Sequence, residues 1–447
     1  MTLCCALLGS AQPEQAQARL TADLHDSRDL ARLDHLVWSQ PLVDDLVQVA
    51  HFKEPHIDRM QVVQHLIMDH LLADYARQHF PQDVLDPGLR VDFPHHIMID
   101  NEVMSTLRVV YRAPLAAAVQ ALPQHRILSC VLRTYPLDNA RQAQIFVVPN
   151  HLMLGYDLPA ASQDLAKKVV LMDYQFPGAP VQHITLFDVY ERENVQGRMS
   201  LFHHDLTYLK RQMLELLSIR FVMDWTQRHS GLNADDLRVM RQALEDKSAA
   251  DALRGIMGTV ADLDEGSAYL AGLAKNIPDA AIHTYYTQHK EQFRRIDRVR
   301  AQHIEVNDKK LADQLSTQLK QGADFAALAK KYSVAADAAQ GGDLGWIIHD
   351  ESGHASWLAQ VAMTQKPGAE IRPILAPGTP AHPLWELMRV SQIDTGYQRE
   401  DGPSVHFEVA QILARELGQR NFQAIEQQLL NTADIHVAPA LKALKLP

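Results

Sequence analysis

Four stretches decide the reading of this chain: VRAQHIEV (299–306), QGADFAALAKKYS (321–333), AAQGGDLGW (338–346) and LAQVAMTQKPGAEIRPIL (358–375). The first is rich in β-formers and reads as a strand. Asp308 then leads into a helix carrying Leu311, Leu315 and Leu319 at helical spacing, which Gly322 stops. Asp324 caps the next helix, which buries Phe325, Leu328 and Tyr332. Gly341, Gly342 and Gly345 read as turn-formers whose backbone needs no side chain. The order strand, helix, helix, Gly turn, strand, helix, strand predicts a compact α+β domain over 296–395.

Outside it the patterning changes twice. Residues 60–77 place Val63, Ile67, Leu71 and Tyr75 at successive i+4 positions, with Val62, Leu66 and Leu72 widening the stripe, as an amphipathic helix requires. From about 86 to 200, short β-rich runs (HRILSCVLRTY, QIFVVP, KVVLMDY, HITLFDVY) are separated by Pro, Asn, Asp and Gly, which predicts strands in an α+β insertion. Asp205 opens a long helix with Leu206, Leu209, Met213, Leu217 and Phe221 on one face, closed by His229-Ser230-Gly231, and Asn233 caps another with Leu237, Met240 and Leu244. A helix enters through Pro278, and the tail over 413–431 is helical again.

Composition bounds the function. The chain has 447 residues, which at about 150 per domain suggests roughly three domains. Apolar residues make up 47% and charged residues 22%, the profile of a folded globular protein. A formal net charge of −11 argues against nucleic acid as a partner. No run approaches the roughly 18 apolar residues of a membrane span, so no stable membrane span is expected. The three cysteines make no disulfide framework: Cys4 and Cys5 are adjacent, and Cys130 alone lies in the body, as buried filler. MTLCCALLGSA (1–11) has the apolar core and small-residue end of a secretory signal, yet no Lys or Arg precedes Arg19. An export remnant and a frayed cytoplasmic terminus both remain open. No HExxH, CxxC or EF-hand spacing accompanies the 23 histidines, so no metal is assigned, and the pairs His95-His96 and His203-His204 read as surface groups.

The four opening stretches, in that order and spacing, resemble the parvulin-type (PpiC-like) peptidyl-prolyl isomerase domain. IPDAAIHTYYTQHKEQFRRIDRV (277–299) resembles the linker helix of exported SurA- and PpiD-type foldases. The helix at 60–77 looks like the signature helix of their chaperone domain, and the carboxy-terminal helix ending in TADIHV looks like the segment that folds back onto it. The division this implies is a signal-peptide remnant (1–18), a helical chaperone segment (19–85), an α+β insertion (86–200), a second helical segment with linker (201–295), the isomerase domain (296–395), and a carboxy-terminal strand and helix returning to the chaperone body (396–447).

Carried over by position, the resemblance puts the family's first histidine at His303 and the proline pocket at Leu344, Leu358 (where the family usually has Phe) and Met363. The site that carries Cys or Asp in active members falls on Ala335, and the second histidine aligns with Glu386. A rival alignment places that histidine at His406 and needs a long insertion before the last strand. Glu386 facing His303 would form a charge-assisted hydrogen bond and set the imidazole tautomer. His303 reads either as part of a catalytic wall or as a structural histidine bonded across the sheet. Trp346 and Trp385 read as core.

The implied activity is isomerisation of X–Pro bonds, which needs an apolar slot and a polar, water-poor wall but no cofactor, metal or covalent step. The implied partners are unfolded or extended client polypeptides and their proline-containing segments, and the implied location is periplasmic or otherwise exported. The changes at Ala335 and Glu386 motivate an alternative, a catalytically degenerate chaperone or assembly factor that binds peptides without turning them over. A third reading makes the 86–200 insertion the recognition element for one partner.

Overall fold

Asp58 and Gln61 cap each other reciprocally at the start of the helix Arg59–His79, so the stripe seen in the sequence begins on a defined turn. Val63 and Ile67 are fully buried there, whereas Leu71 and Tyr75 are only partly so. Met68, Leu72 and Ala76 take over the buried line, because the helix packs against the helix Ala234–Ile256 as well as against its own sheet. The computed structural model describes residues 19–86, 93–148, 155–260, 267–350, 353–378 and 383–446. The signal-like 1–18 segment lies outside them. The chain divides into two units, Met1–Tyr269 with Gly418–Pro447, and Leu270–Leu417.

The first unit holds a four-stranded sheet in the order Arg19–Thr21, Asp434–Val437, Asp29–Leu33, Leu36–Ser39. The carboxy-terminal strand lies between two amino-terminal ones, parallel to the first and antiparallel to the second. Buried Asp236, on the helix capped by Asn233, accepts a hydrogen bond from Ser39 Oγ at 2.6 Å and pairs with Arg28, tying that helix to the hairpin. No described helix is long and apolar enough to cross a membrane.

Within 86–200 the described residues form a three-stranded antiparallel sheet, Val131–Thr134, Val170–Tyr174 and Gln182–Thr185, surrounded by helices. The described part of the run QIFVVP, residues 144–148, is not a strand. Asp138 caps the helix Asn139–Ile145 instead, and Ile145 and Phe146 enter the core together while Val147 and Val148 stay exposed, the reverse of strand alternation. In HITLFDVY the strand ends at Thr185, whose side chain caps the helix Leu186–Tyr190. The tail helix also starts earlier than its apolar pattern suggests. It runs Pro403–Thr432, and Val405 and Val409 are buried with Ile282, Tyr286 and Phe293.

The second unit centres on an antiparallel sheet in the order Asp343–Ile348, Arg294–Val306, Trp385–Tyr397, Ile374–Leu375. Strand alternation gives it two faces. Ile304, Val306 and Leu387 point to one side and bury Leu315, Phe325 and Ala329 from the helices Lys309–Lys320 and Phe325–Tyr332. At about 1.5–3 kcal/mol for each large side chain removed from water, this layer holds the two helices to the sheet. The opposite face carries Val299, Ala301, Met388 and Val390 under Ala362 of the helix Trp357–Thr364.

Candidate functional site

His303 shares this second face with Val299 and Ala301, and the register sets Met388 opposite it and Glu386 opposite Glu305. The imidazole is 5% exposed and Glu386 is 2% exposed, so their polar groups must satisfy each other. Nδ1 of His303 lies 2.9 Å from a Glu386 carboxylate oxygen, and Nε2 lies 3.0 and 3.1 Å from the two oxygens of Asp337. Both ring nitrogens are therefore engaged. A protonated ring donates to both carboxylates at once, which makes these charge-assisted bonds.

Backbone bonds place Asp337 against the ring. Its carbonyl accepts from the Gly342 N–H at 3.0 Å across the turn Ala338–Gln340, and the Gly342 carbonyl accepts from the His303 N–H at 2.8 Å. Gly342 has φ +69°, and a Cβ on it would sit 2.0 Å from the His303 carbonyl oxygen, so glycine alone permits this approach. Ser333 fastens the other end of the loop: its Oγ accepts from the N–H groups of Glu305 at 3.1 Å and Ala335 at 3.3 Å. Leu344, Leu358 and Met363, from three separate places in the sequence, are half-buried against the cluster of Val299, Ala301, Ala362, Met388 and Val390.

Residues 290–370 match the family model described as the PPIC-type PPIase domain. This segment is a parvulin-type PpiC domain. Over 74 residues the chain is 45% identical to the foldase protein PrsA of Caldanaerobacter subterraneus, covering 16% of this chain and 23% of that one. Over 77 residues it is 40% identical to the periplasmic chaperone PpiD of Haemophilus ducreyi, covering 17% and 12%. The chain thus spans less than a quarter of the length of these curated relatives. A solved SurA-like chaperone of Campylobacter jejuni is 21% identical over 52% of this chain and 85% of its own, with a TM-score of 0.21.

Within the parvulin domain, His303 and Glu386 meet directly. Ala335 offers no polar group, and the carboxylate that reaches Nε2 comes from Asp337, two residues further on. Sequence reasoning missed Asp337. Its signal was an acidic residue just ahead of a Gly-Gly turn that closes onto the opening strand. The rival at His406 is excluded as a strand residue, since it sits in the helix Pro403–Thr432 and faces Asp279 at 3.1 Å. Trp385 packs against the helix-side core as expected, but Trp346 does not belong to a core cluster. It is half-buried with the Arg298 guanidinium 4.3 Å over its ring.

Electrostatics follow from the geometry. Burial opposes a charged His303, but the hydrogen bond and charge of Glu386, and then Asp337, outweigh it and hold the imidazole pKa above its ordinary value. Burial, and then the hydrogen bond and charge of Glu386, push the Glu305 carboxyl up. The ring and its two carboxylate partners thus form one connected array, Asp337–His303–Glu386.

Proposed function

We propose that the chain is an exported foldase whose parvulin domain accelerates rotation about X–Pro bonds in extended client polypeptides. The observation that carries this reading is the continuity of two surfaces on one sheet face: the buried His303–Glu386 pair with half-buried Asp337, and the half-buried Leu344, Leu358 and Met363 around Met388. The X–Pro amide crosses a barrier of about 18–20 kcal/mol because rotation breaks its resonance. An apolar shelf that holds the pyrrolidine ring, beside a rigid wall with little water, binds the twisted amide better than the planar one and so lowers that barrier. His303, with both nitrogens held inside the array, is a positioning residue: it keeps the wall rigid.

The helical segments on either side of the 86–200 insertion, with the returning tail, form in this reading a client-holding body. A groove of about 1170 Å³ in the first unit, lined among others by Phe52, Phe93, Met104 and Val109, supports it, Phe52 being 77% exposed. Export is supported by the printed name of one relative, a periplasmic chaperone. A second reading, a peptide-binding module without turnover, is favoured by Ala335 and Glu386 and by the closure of both His303 nitrogens.

The test is refolding of a client whose slow phase, tens to hundreds of seconds, is set by X–Pro isomerisation. The full-length chain is expected to shorten that phase, and Leu358→Asp, which puts a charge in the apolar slot, to reduce the acceleration at least about tenfold. Binding of the client without any change in the slow phase would select the second reading.

A further inference from the structure

The strongest cluster outside the parvulin domain surrounds His70, on the helix Arg59–His79. The residue is 3% exposed. Its Nδ1 bonds a carboxylate oxygen of Asp246 at 2.7 Å, and that carboxylate is itself held by Gln242 at 2.8 Å and Arg77 at 2.7 Å. Trp38 packs edge-on with ring centroids 6.3 Å apart, which helps fix the plane of the imidazole. The other nitrogen, Nε2, is buried and makes no hydrogen bond. Leaving such a group unsatisfied costs about 1–3 kcal/mol, so it calls for an explanation.

Two carboxylates face that nitrogen. Asp74, four residues on along the same helix, places an oxygen 3.6 Å from it, and Asp34, in the turn between the strands Asp29–Leu33 and Leu36–Ser39, places one 3.9 Å away. The three ligand atoms lie within 4.8 Å of one another. Bonds of about 2.0–2.2 Å in a tetrahedral site set ligand atoms roughly 3.4 Å apart, so each carboxylate closes on Nε2 by about 0.5 Å or less, and the widest ligand pair by up to about 1.4 Å. Asp34 and Asp74 are 63% and 45% exposed, which leaves them room to swing and leaves the far side open to water ligands. Asp246 on Nδ1 directs the lone pair of Nε2 outward, as the partner of a metal-bound histidine does. Three carboxylates against the single guanidinium of Arg77 leave an excess of negative charge that a divalent cation balances.

We propose that His70 Nε2, Asp34 and Asp74 bind one divalent transition-metal ion of the zinc class, oriented by Asp246. A mixed imidazole and carboxylate set suits such an ion better than Mg²⁺ or Ca²⁺, which take oxygen ligands alone. Bound there, the ion pins the hairpin turn to the helix and stabilises the first unit by mass action. The sequence hides the site because its ligands come from two elements at no recognised spacing.

The full-length protein, stripped with a chelator, is titrated with Zn²⁺, with bound metal counted after dialysis, and separately with Co²⁺, read by its visible absorption. Wild type is expected to take up one equivalent more than the Asp34→Asn, Asp74→Asn double variant, whose changes are exposed and leave the fold intact. Asp246→Asn should weaken that equivalent by about 10–100-fold. Equal uptake by wild type and the double variant, or no uptake by wild type, would overturn the proposal and leave His70 as an ion-paired histidine.

Discussion

Replacing Gly342 by alanine is expected to unfold the parvulin domain while leaving the first unit folded. The residue has φ +69°, and its carbonyl bonds the His303 N–H at 2.8 Å. A methyl group would lie 2.0 Å from the His303 carbonyl oxygen, an atom of the central strand that has no freedom to retreat. Left-handed backbone strain and overpacking add to about 4 kcal/mol, a large part of a domain's stability. Hydrogen exchange on the full-length variant checks this: amides of Arg294–Val306 and Trp385–Tyr397 should lose protection, and those of the helix Arg59–His79 should keep it. Protection unchanged in the two strands would mean that the turn relaxes around the new group.

His303→Ala should cost about 3–5 kcal/mol, because it strands the nearly buried Glu386 and the half-buried Asp337 without their common partner. The pH dependence has a definite sign. His303 has its pKa raised in the folded state, so its contribution is complete below the ordinary 6.5 and is lost as pH climbs through the folded value. Glu305 is also raised, from 4.5, so folding favours its protonated form and this contribution likewise falls with rising pH. Denaturant unfolding of wild type should therefore show the parvulin domain losing stability from pH 6 to pH 9, and His303→Ala should flatten the part above about 6.5. A wild-type domain that gains stability over that range would show that the imidazole is neutral in the array.

Much of the parvulin domain was legible because its punctuation is local. Asp308, Gly322, Asp324 and the Gly341-Gly342 pair start and stop elements by their own backbone chemistry, and the apolar spacing between them names the buried faces. His303, Glu386 and the apolar residues Leu344, Leu358 and Met363 could be placed by position, and the sheet brings them to one face. Asp337 could not, since it reaches the ring through a turn whose geometry depends on the close approach of Gly342 to a strand 39 residues earlier in the chain. The start of the tail helix at Pro403 was obscured because VHFEVAQI has enough β-branched and aromatic residues to pass for a strand, and its buried face is defined by Ile282 and Tyr286, far away in sequence. QIFVVP misled for the same reason, with Asp138 as the decisive cap.

In the proposed function, the face bearing the Asp337–His303–Glu386 array and the Leu344, Leu358 and Met363 shelf turns over X–Pro bonds. Two-dimensional exchange NMR on a short X–Pro peptide at equilibrium measures this without a coupled protease or a folding client. Catalytic amounts of the full-length chain should produce cis–trans exchange peaks within a second, whereas the free peptide takes tens to hundreds of seconds. Line broadening that shows the peptide bound, with exchange no faster than in free solution, would mean that this face binds prolines without turning them over.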